Sequence, residues 1–271
     1  MQATGNNQQK TYSLSIRLHA DGFSFYSYSP TEAEAIKTET YHYQNGESHA
    51  ETLEKALAQS TLTGRKSYLG IYCLITGPSI QIPLEAFKKE EANTLFRLTF
   101  AQKQVGKIYY NILPHLEIAK IFSVDKELEQ MLCRRFPGIR FYHADTMLLE
   151  KMLTFDTKDK QRLYVYFHEQ EMLVFGYKEQ KLHYANSFPA DHSDNATYFI
   201  LSVWKHLAMD TREGECILLG ENSIKNECTQ TLGKYLHQVK PLTSADIYRR
   251  YASARNPQVP FDLLTLLVNV I

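Results

Sequence analysis

Residues 163–189 read LYVYFHEQEMLVFGYKEQKLHYANSFP, and their pattern decides how the rest of the chain is parsed. Leu163, Val165 and Phe167 alternate, His168 to Glu171 form a polar turn, Met172 to Tyr177 run back, and Lys181 to Phe188 make a third strand. The same order opens the chain. Leu14, Ile16 and Leu18 form one face of a strand whose other face, Ser13, Ser15 and Arg17, is polar, so the strand reads as half-buried. Ala20-Asp21-Gly22 supplies a turn in which Gly22 allows positive φ, and Phe23, Phe25 and Tyr26 lead the second strand. Ala35 to Gln44 is the third, closed by Asn45-Gly46.

Each triplet is followed by an apolar helix and a buried strand. Leu53, Ala56 and Leu57 precede Tyr68 to Ile75, while Phe199, Ile200, Val203, Trp204 and Leu207 precede Cys216 to Leu219. Both halves therefore run β-β-β-α-β-α. Leu14 and Leu163 are 149 residues apart, Leu53 and Leu201 148, and Leu69 and Ile217 148. No residue-level repeat accompanies this spacing, and two unrelated α+β domains would also produce it.

Between the repeats, Gly77-Pro78 is a break and Ser79 to Ile82 is extended. Pro83 suits the first turn of a helix over Glu85 to Leu98. Strands over Lys107 to Leu113 and Leu116 to Val124 flank Pro114-His115. Asp125 is the N-cap of a helix through Leu128, Leu132 and Phe136 that Pro137-Gly138 stops. Ile139 to His143 is a strand, and Asp145 or Thr146 caps a helix through Leu149 and Leu153. Asp156 to Lys160 is the most linker-like stretch and places the boundary. Residues 1–10 then form a disordered tail, 11–157 one lobe and 158–271 a second. The second lobe adds a helix near Cys228 to Leu236 and one at Ile247 to Tyr251 with a Thr243/Asp246 capping box.

The 271 residues carry 30 Lys+Arg and 30 Asp+Glu, so no global field attracts nucleic acid or acidic lipid. Arg249, Arg250 and Arg255 are the best basic cluster, and a solvated helix face explains them. The 18 tyrosines and 14 phenylalanines sit mostly at strand positions, where β-propensity accounts for them, so nucleic acid is not expected as a partner. The apolar run Phe261 to Ile271, broken by Asp262 and Asn269, falls short of the ~20 residues of a membrane span, and burial against its own domain is expected instead of stable membrane insertion. The N-terminus lacks a secretory apolar region. Four scattered cysteines (Cys73, Cys133, Cys216, Cys228) fit reduced thiols in a cytosol, so a cytoplasmic location is expected. His168-Glu169 begins an H-E-x-x-H motif, but Met172 stands in place of the second histidine, and Asp191 to Asp194 reads as a helix-capping loop, so no metal site is expected. His143 and Asp145 close a strand, where capping accounts for Asp145.

Tandem β-β-β-α-β-α units with a hinge between them resemble the actin-like ATPase fold, an α/β, ribonuclease H-like arrangement of two lobes around a central cleft. The stretch IPLEAFKKEEANTLFRLTF followed by EIAKIFSVDKELEQMLCRRFPGIRFYHADTMLLEKML resembles the first lobe of type IV pilus assembly actin-like proteins, and the stretch quoted at the outset resembles their second-lobe opening. FYHADTMLLEKML, NATYFILSVWKHLAMD and ECILLGENS also resemble a family of uncharacterised bacterial proteins assigned this fold. The resemblance covers about residues 11–250 and brings no substrate.

It implies where a nucleotide would sit. Active members wrap phosphates with two Asp/Gly-containing hairpins, one per lobe, and take adenine and ribose on a Gly-rich loop. Here Asp21 and Gly22 sit in the first turn, later than the strand-end position the family uses. His168 to Glu171 has no Asp-x-Gly, so Glu169 faces the phosphate place without a glycine cradle. Leu218 to Ser223 keeps one glycine, Gly220, ahead of Ser223. The expectation is a non-catalytic cytosolic protein-interaction or assembly scaffold with a degenerate nucleotide site, an unidentified protein partner and no cofactor. The alternative is a switch, at most a weak ATPase, in which Mg-ATP closes the lobes through Asp21, Gly22, Glu169, Gly220 and Ser223.

Overall fold

The computed structural model describes residues 12–29, 36–65, 67–100, 106–156, 160–220, 223–249, 254, 256 and 259–270. The expected tail, residues 157–159 of the linker, Arg250 and Arg255 lie outside them. In chain order the elements are β1 (Ser13–His19), β2 (Gly22–Tyr28), β3 (Lys37–His42), α1 (His49–Gln59), β4 (Ile71–Ile75), β5 (Ser79–Pro83), α2 (Ala92–Thr99), β6 (Lys107–Leu113), β7 (Ile118–Val124), α3 (Lys126–Arg135), β8 (Arg140–His143) and α4 (Ala144–Leu153). They continue with β9 (Arg162–His168), β10 (Glu171–Lys178), β11 (Lys181–Pro189), α5 (Ser193–His206), β12 (Glu215–Leu219), α6 (Ser223–Leu232), β13 (Gln238–Pro241), α7 (Ser244–Ile247) and α8 (Phe261–Val270).

Two five-stranded sheets share one topology, β3-β2-β1-β4-β8 and β11-β10-β9-β12-β13, in which a hairpin and its return strand are antiparallel and the last two strands are parallel. The registers align the halves differently from the sequence spacing. Leu14 faces Ile71 and Leu163 faces Cys216, so Ile71 is the counterpart of Cys216, while Leu69 lies before the strand and is exposed.

Each sheet is covered on both faces. Leu14, Ile16, Phe23, Phe25 and Cys73 pack against Leu53 of α1 and Leu132 of α3. Leu163, Val165, Val174 and Leu218 pack against Ile200 of α5 and Cys228 of α6. The inward faces of both sheets meet a single layer made by α4 and α8, with Tyr26 and Leu74 on one side and Tyr166 and Phe175 on the other. β1 is therefore not half-exposed as its alternation implies. Ser13, Ser15 and Arg17 are as buried as their apolar neighbours, because their face meets the helix layer rather than water. Likewise α8 does not settle within its own lobe alone, since it packs along α4 of the first half.

Residues 79–124 interrupt the first half between β4 and α3 as a separate antiparallel sheet, β5-β7-β6. Pro83 ends β5 instead of opening a helix. Two 3-10 turns follow, and α2 begins only at Ala92. In the second half the helices expected at Cys228–Leu236 and Ile247–Tyr251 lie earlier, as α6 and α7, although the Thr243/Asp246 box caps α7 as its residues imply. Asp125 caps α3 through the N–H groups of Glu127 and Leu128.

The inserted sheet is fastened to the β8–α4 corner by polar groups. Asn111 Oδ1 accepts from His143 N at 2.9 Å and from Thr146 Oγ1 at 3.0 Å. Lys120 Nζ donates to Asp145 Oδ2 at 2.8 Å, with both side chains almost wholly buried. His143 is the residue that caps α4, so Asp145 is not explained by capping; its carboxylate serves Lys120. Burial alone would raise the Asp145 pKa, but Lys120 and His143 hold it well below the usual carboxylate range.

Removing one partner of such a buried pair leaves an uncompensated charge. Lys120→Met should lose about 3–5 kcal/mol in urea unfolding, and adding Asp145→Leu should recover much of it. A second cage gives a pH signature. Glu215, buried at the start of β12, accepts from Lys160, Arg162 and Lys240, which bring its pKa to about 2 against the opposing effect of burial. Its contribution is complete above the ordinary value of 4.5 and is lost as pH falls toward 2. Glu215→Gln should flatten the acid limb of stability against pH across that window.

Candidate functional site

The turns β1–β2 and β9–β10 face each other across a cleft of about 850 Å³, bounded also by the end of β4 at Gly77 and the start of α3 at Asp125. Equivalent hairpins of two equivalent sheets are brought together because α4 and α8 hold the sheets face to face. Asp21 and Glu169 both line this cleft. Gly220 and Ser223 are not among its lining residues, and Gly22 lies beside it at the start of β2.

The turns are joined by a buried ionic cluster. Arg17, near the end of β1, donates from one terminal nitrogen to Glu169 Oε1 at 2.7 Å, and its Nε donates to Asp262 Oδ2 at 3.0 Å. Asp262, in the first turn of α8, has no solvent exposure. Burial works against the guanidinium charge, but Asp262, Tyr166 and Glu169 together push its pKa above the ordinary arginine value. Glu169 Oε2 accepts the backbone N–H of Ala20 at 3.2 Å. The Glu169 carboxylate thus occupies an anion position on the first turn, bound by a backbone N–H and a guanidinium.

Asp21 is held from two sides, by His19 Nδ1 at 2.5 Å and His42 Nδ1 at 3.3 Å, and the His19 contact heads the causes that lower its pKa. The glycines have packing explanations. A Cβ on Gly22 would stand 2.0 Å from the carbonyl oxygen of Tyr41, and its φ is not in the left-handed region, so Gly22 admits β3 and is not needed for positive φ. Gly220 does adopt φ +89°, and a Cβ there would lie 2.1 Å from the Phe167 carbonyl oxygen. The Gly220 carbonyl accepts from the buried Lys225 ammonium. No group of three His, Cys, Asp or Glu side chains converges as a metal site among the described residues.

The sequence-based expectation omits four contributors: Arg17, Asp262, Asp125 and His168. His168 is 9% exposed, stacks on Tyr166, and has no hydrogen-bond partner at either ring nitrogen. Tyr43 forms part of the wall with its ring 3.8 Å from that of His49.

Two equivalent mixed sheets enclosing a helix layer, with paired hairpins across a cleft, define an actin-like ATPase fold. Residues 2–239 match a family described as a protein of unknown function (DUF3822), and the chain belongs to that family. It is similar to a solved Bacteroides thetaiotaomicron protein described as having an actin-like ATPase fold and unknown function, at 27% identity over 96% of both chains with a TM-score of 0.79. A PilM-PilN type IV pilus biogenesis complex shares the fold at 12% identity, covering 96% of this chain and 98% of that one, with a TM-score of 0.54. No curated protein matches the sequence. No helix among the described residues is long and apolar enough to cross a membrane.

Breaking the cluster should be costly because Asp262 has no route to water. Arg17→Met should destabilise the protein by about 3–5 kcal/mol in urea titration. The double variant Arg17→Met/Asp262→Leu should be the more stable of the two. Equal stabilities would show that Asp262 finds another partner.

Proposed function

We propose that the protein is a non-catalytic, cytoplasmic member of the actin-like fold that binds another protein as an interaction or assembly scaffold, and that its nucleotide site is degenerate. The observation that carries this reading is the position of the Glu169 carboxylate. A phosphate at the first turn would need the Ala20 N–H and a nearby cation, and Glu169 already takes both. Anionic phosphate would have to displace a fixed carboxylate and leave it unpaired beside the ligand.

The remaining parts of the site support the same reading. Gly22 and Gly220 are committed to backbone contacts with Tyr41 and Phe167, and Gly220 and Ser223 are not among the residues that line the cleft. No cofactor is expected. Fold alone leaves the role open. A protein partner is suggested by analogy with the PilM-PilN complex. The competing reading, a switch closed by Mg-ATP, draws on Asp21 and Glu169 sharing one cleft.

Thermal unfolding with and without Mg-ATP or Mg-ADP separates the two. Ligand at 100 times its dissociation constant would add about 2.7 kcal/mol, a rise of several degrees. We expect no rise with either nucleotide. A clear rise that Glu169→Lys abolishes would establish the switch and overturn the scaffold reading.

A further inference from the structure

β5 and β11 each stand at the edge of their sheet, and both border a slot of about 680 Å³. Residues 77–81 line one side and residues 183–187 the other. Side chains of successive strand residues point to opposite faces, so a run of consecutive lining residues means that each strand is presented edge-on. The ladder bonds fix which backbone groups turn into the slot. In an antiparallel pair, opposite residues alternate between exchanging both hydrogen bonds and turning both groups outward. Ala190 N donates to Gln170 O at 2.7 Å, one step beyond the Glu171–Pro189 pair. Phe188, Asn186 and Tyr184 therefore bond to β10, whereas Ser187 and Ala185 turn outward. Leu84 N donates to Glu117 O at 2.7 Å, one step beyond the Pro83–Ile118 pair. By the same alternation Ile82 and Ile80 bond to β7, whereas Gln81 and Ser79 turn outward. Pro83 and Pro189 both fall on outward positions, where a missing N–H removes no ladder bond. In keeping with this, the Ser187 N–H is accepted by its neighbour Asn186 Oδ1 at 3.0 Å.

We infer that this slot takes an extended segment of a partner protein, which adds as a strand to the outer edge of β11 with its far side turned to β5. A strand pressed between one edge and an apolar wall would bury a row of its own N–H and C=O groups unpaired. Here Ser79 and Gln81 offer backbone groups on the opposite wall, so both rows of the segment have partners. Five residues of such a strand span about 16 Å. Charge selects its end. Lys120 lines the slot, but its ammonium belongs to Asp145, and Glu171 is the only carboxylate among the described lining residues. Glu171 is exposed and, with Gly77, also lines the central cleft, so it marks the end at which the slot opens there. A segment with arginine or lysine at that end is complementary, and one with glutamate is opposed. The inference deepens the scaffold reading and rests on it, by giving the form in which a partner is held.

Recognition through backbone groups tolerates many sequences, so generic strand-forming peptides are adequate probes. The test follows backbone amide resonances and amide exchange of the full chain by NMR. The probes are acetyl-Arg-Val-Thr-Val-Thr-amide, the reversed acetyl-Thr-Val-Thr-Val-Arg-amide, both with glutamate in place of arginine, and both with methylated backbone nitrogens. The expected result is saturable movement of the amides of residues 79–81 and 183–187, with slowed exchange at Ala185 and Ser187. The arginine peptide of one polarity should bind more tightly than its glutamate counterpart, and Glu171→Gln should remove that preference. Ala185→Pro places a proline on an outward position, as Pro189 already is, and should weaken binding about tenfold while the protein unfolds at the same temperature. The methylated peptides test the same bonds with the protein unaltered, and they should not bind. No movement with any peptide, equal binding of the methylated peptides, or unchanged affinity in a folded Ala185→Pro would overturn the inference. Ala185 and Ser187 amides already protected before peptide is added would mean that this chain or a second copy fills the slot, which also overturns it; sedimentation separates those two occupants. Each of these failures leaves the scaffold reading standing, since that reading falls to a nucleotide response in the thermal test.

Discussion

A buried guanidinium links the two halves of the molecule at the cleft. Arg17 leaves the first sheet, meets Glu169 on the turn of the second, and meets Asp262 on the helix that lies between them. Taking a guanidinium and two carboxylates out of water carries a large desolvation cost, so the cluster is not an obvious source of stability. Its value is geometric. The planar fork of arginine has donors fixed relative to one another, and satisfying both carboxylates sets how the β9–β10 turn and α8 sit against the end of β1. The cleft, the first turn of α8 and the inward polar face of β1 meet at that arrangement.

The residues that resemble a phosphate-binding motif have packing roles in this structure. An Asp-Gly turn and a strand followed by glycine are compatible with nucleotide binding, and equally with tight backbone packing. At Gly22 the neighbour is the Tyr41 carbonyl, and at Gly220 it is the Phe167 carbonyl. At both places the glycine backbone lies against another strand, β3 at Gly22 and β9 at Gly220. Glu169 sets a carboxylate against the Ala20 N–H of the first turn.

Much of the architecture was legible because local chemistry and packing agree. Asn45-Gly46 makes a turn with Gly46 at φ +87°, Asp125 caps its helix, and the twice-repeated hairpin and return strand generate two sheets of one topology. The division into lobes at Asp156 to Lys160 rests on composition alone. The polar face of β1 was misleading for a physical reason. Serine and arginine alternating with leucine signal solvent in an isolated strand, and only the opposing helix layer reverses that meaning. Asp262 carried a usable signal, a lone carboxylate in an apolar helix that must have a partner if the helix is buried. Which cation answers it depends on a contact spanning 245 residues, and periodicity contains no such information. The three strands of the inserted sheet were legible, whereas Pro83, whose preference for a first helical turn is also satisfied at a strand end, misplaced the start of α2.

The position of that insert has a consequence for how such a chain can change over time. It leaves after β4 and returns just before α3, and Gly77 and Asp125, at its two ends, line the same cleft. The second half makes the corresponding passage, from β12 to α6, without any intervening sheet. Residues 79–124 are thus grafted onto a joint that the architecture can close on its own. Substitutions on the outer surface of the graft leave the two large sheets and their helix layer untouched, so this region can change with little cost to the rest of the fold. Because both stems of the graft enter at the cleft, a change in its seating would be felt at the centre of the molecule.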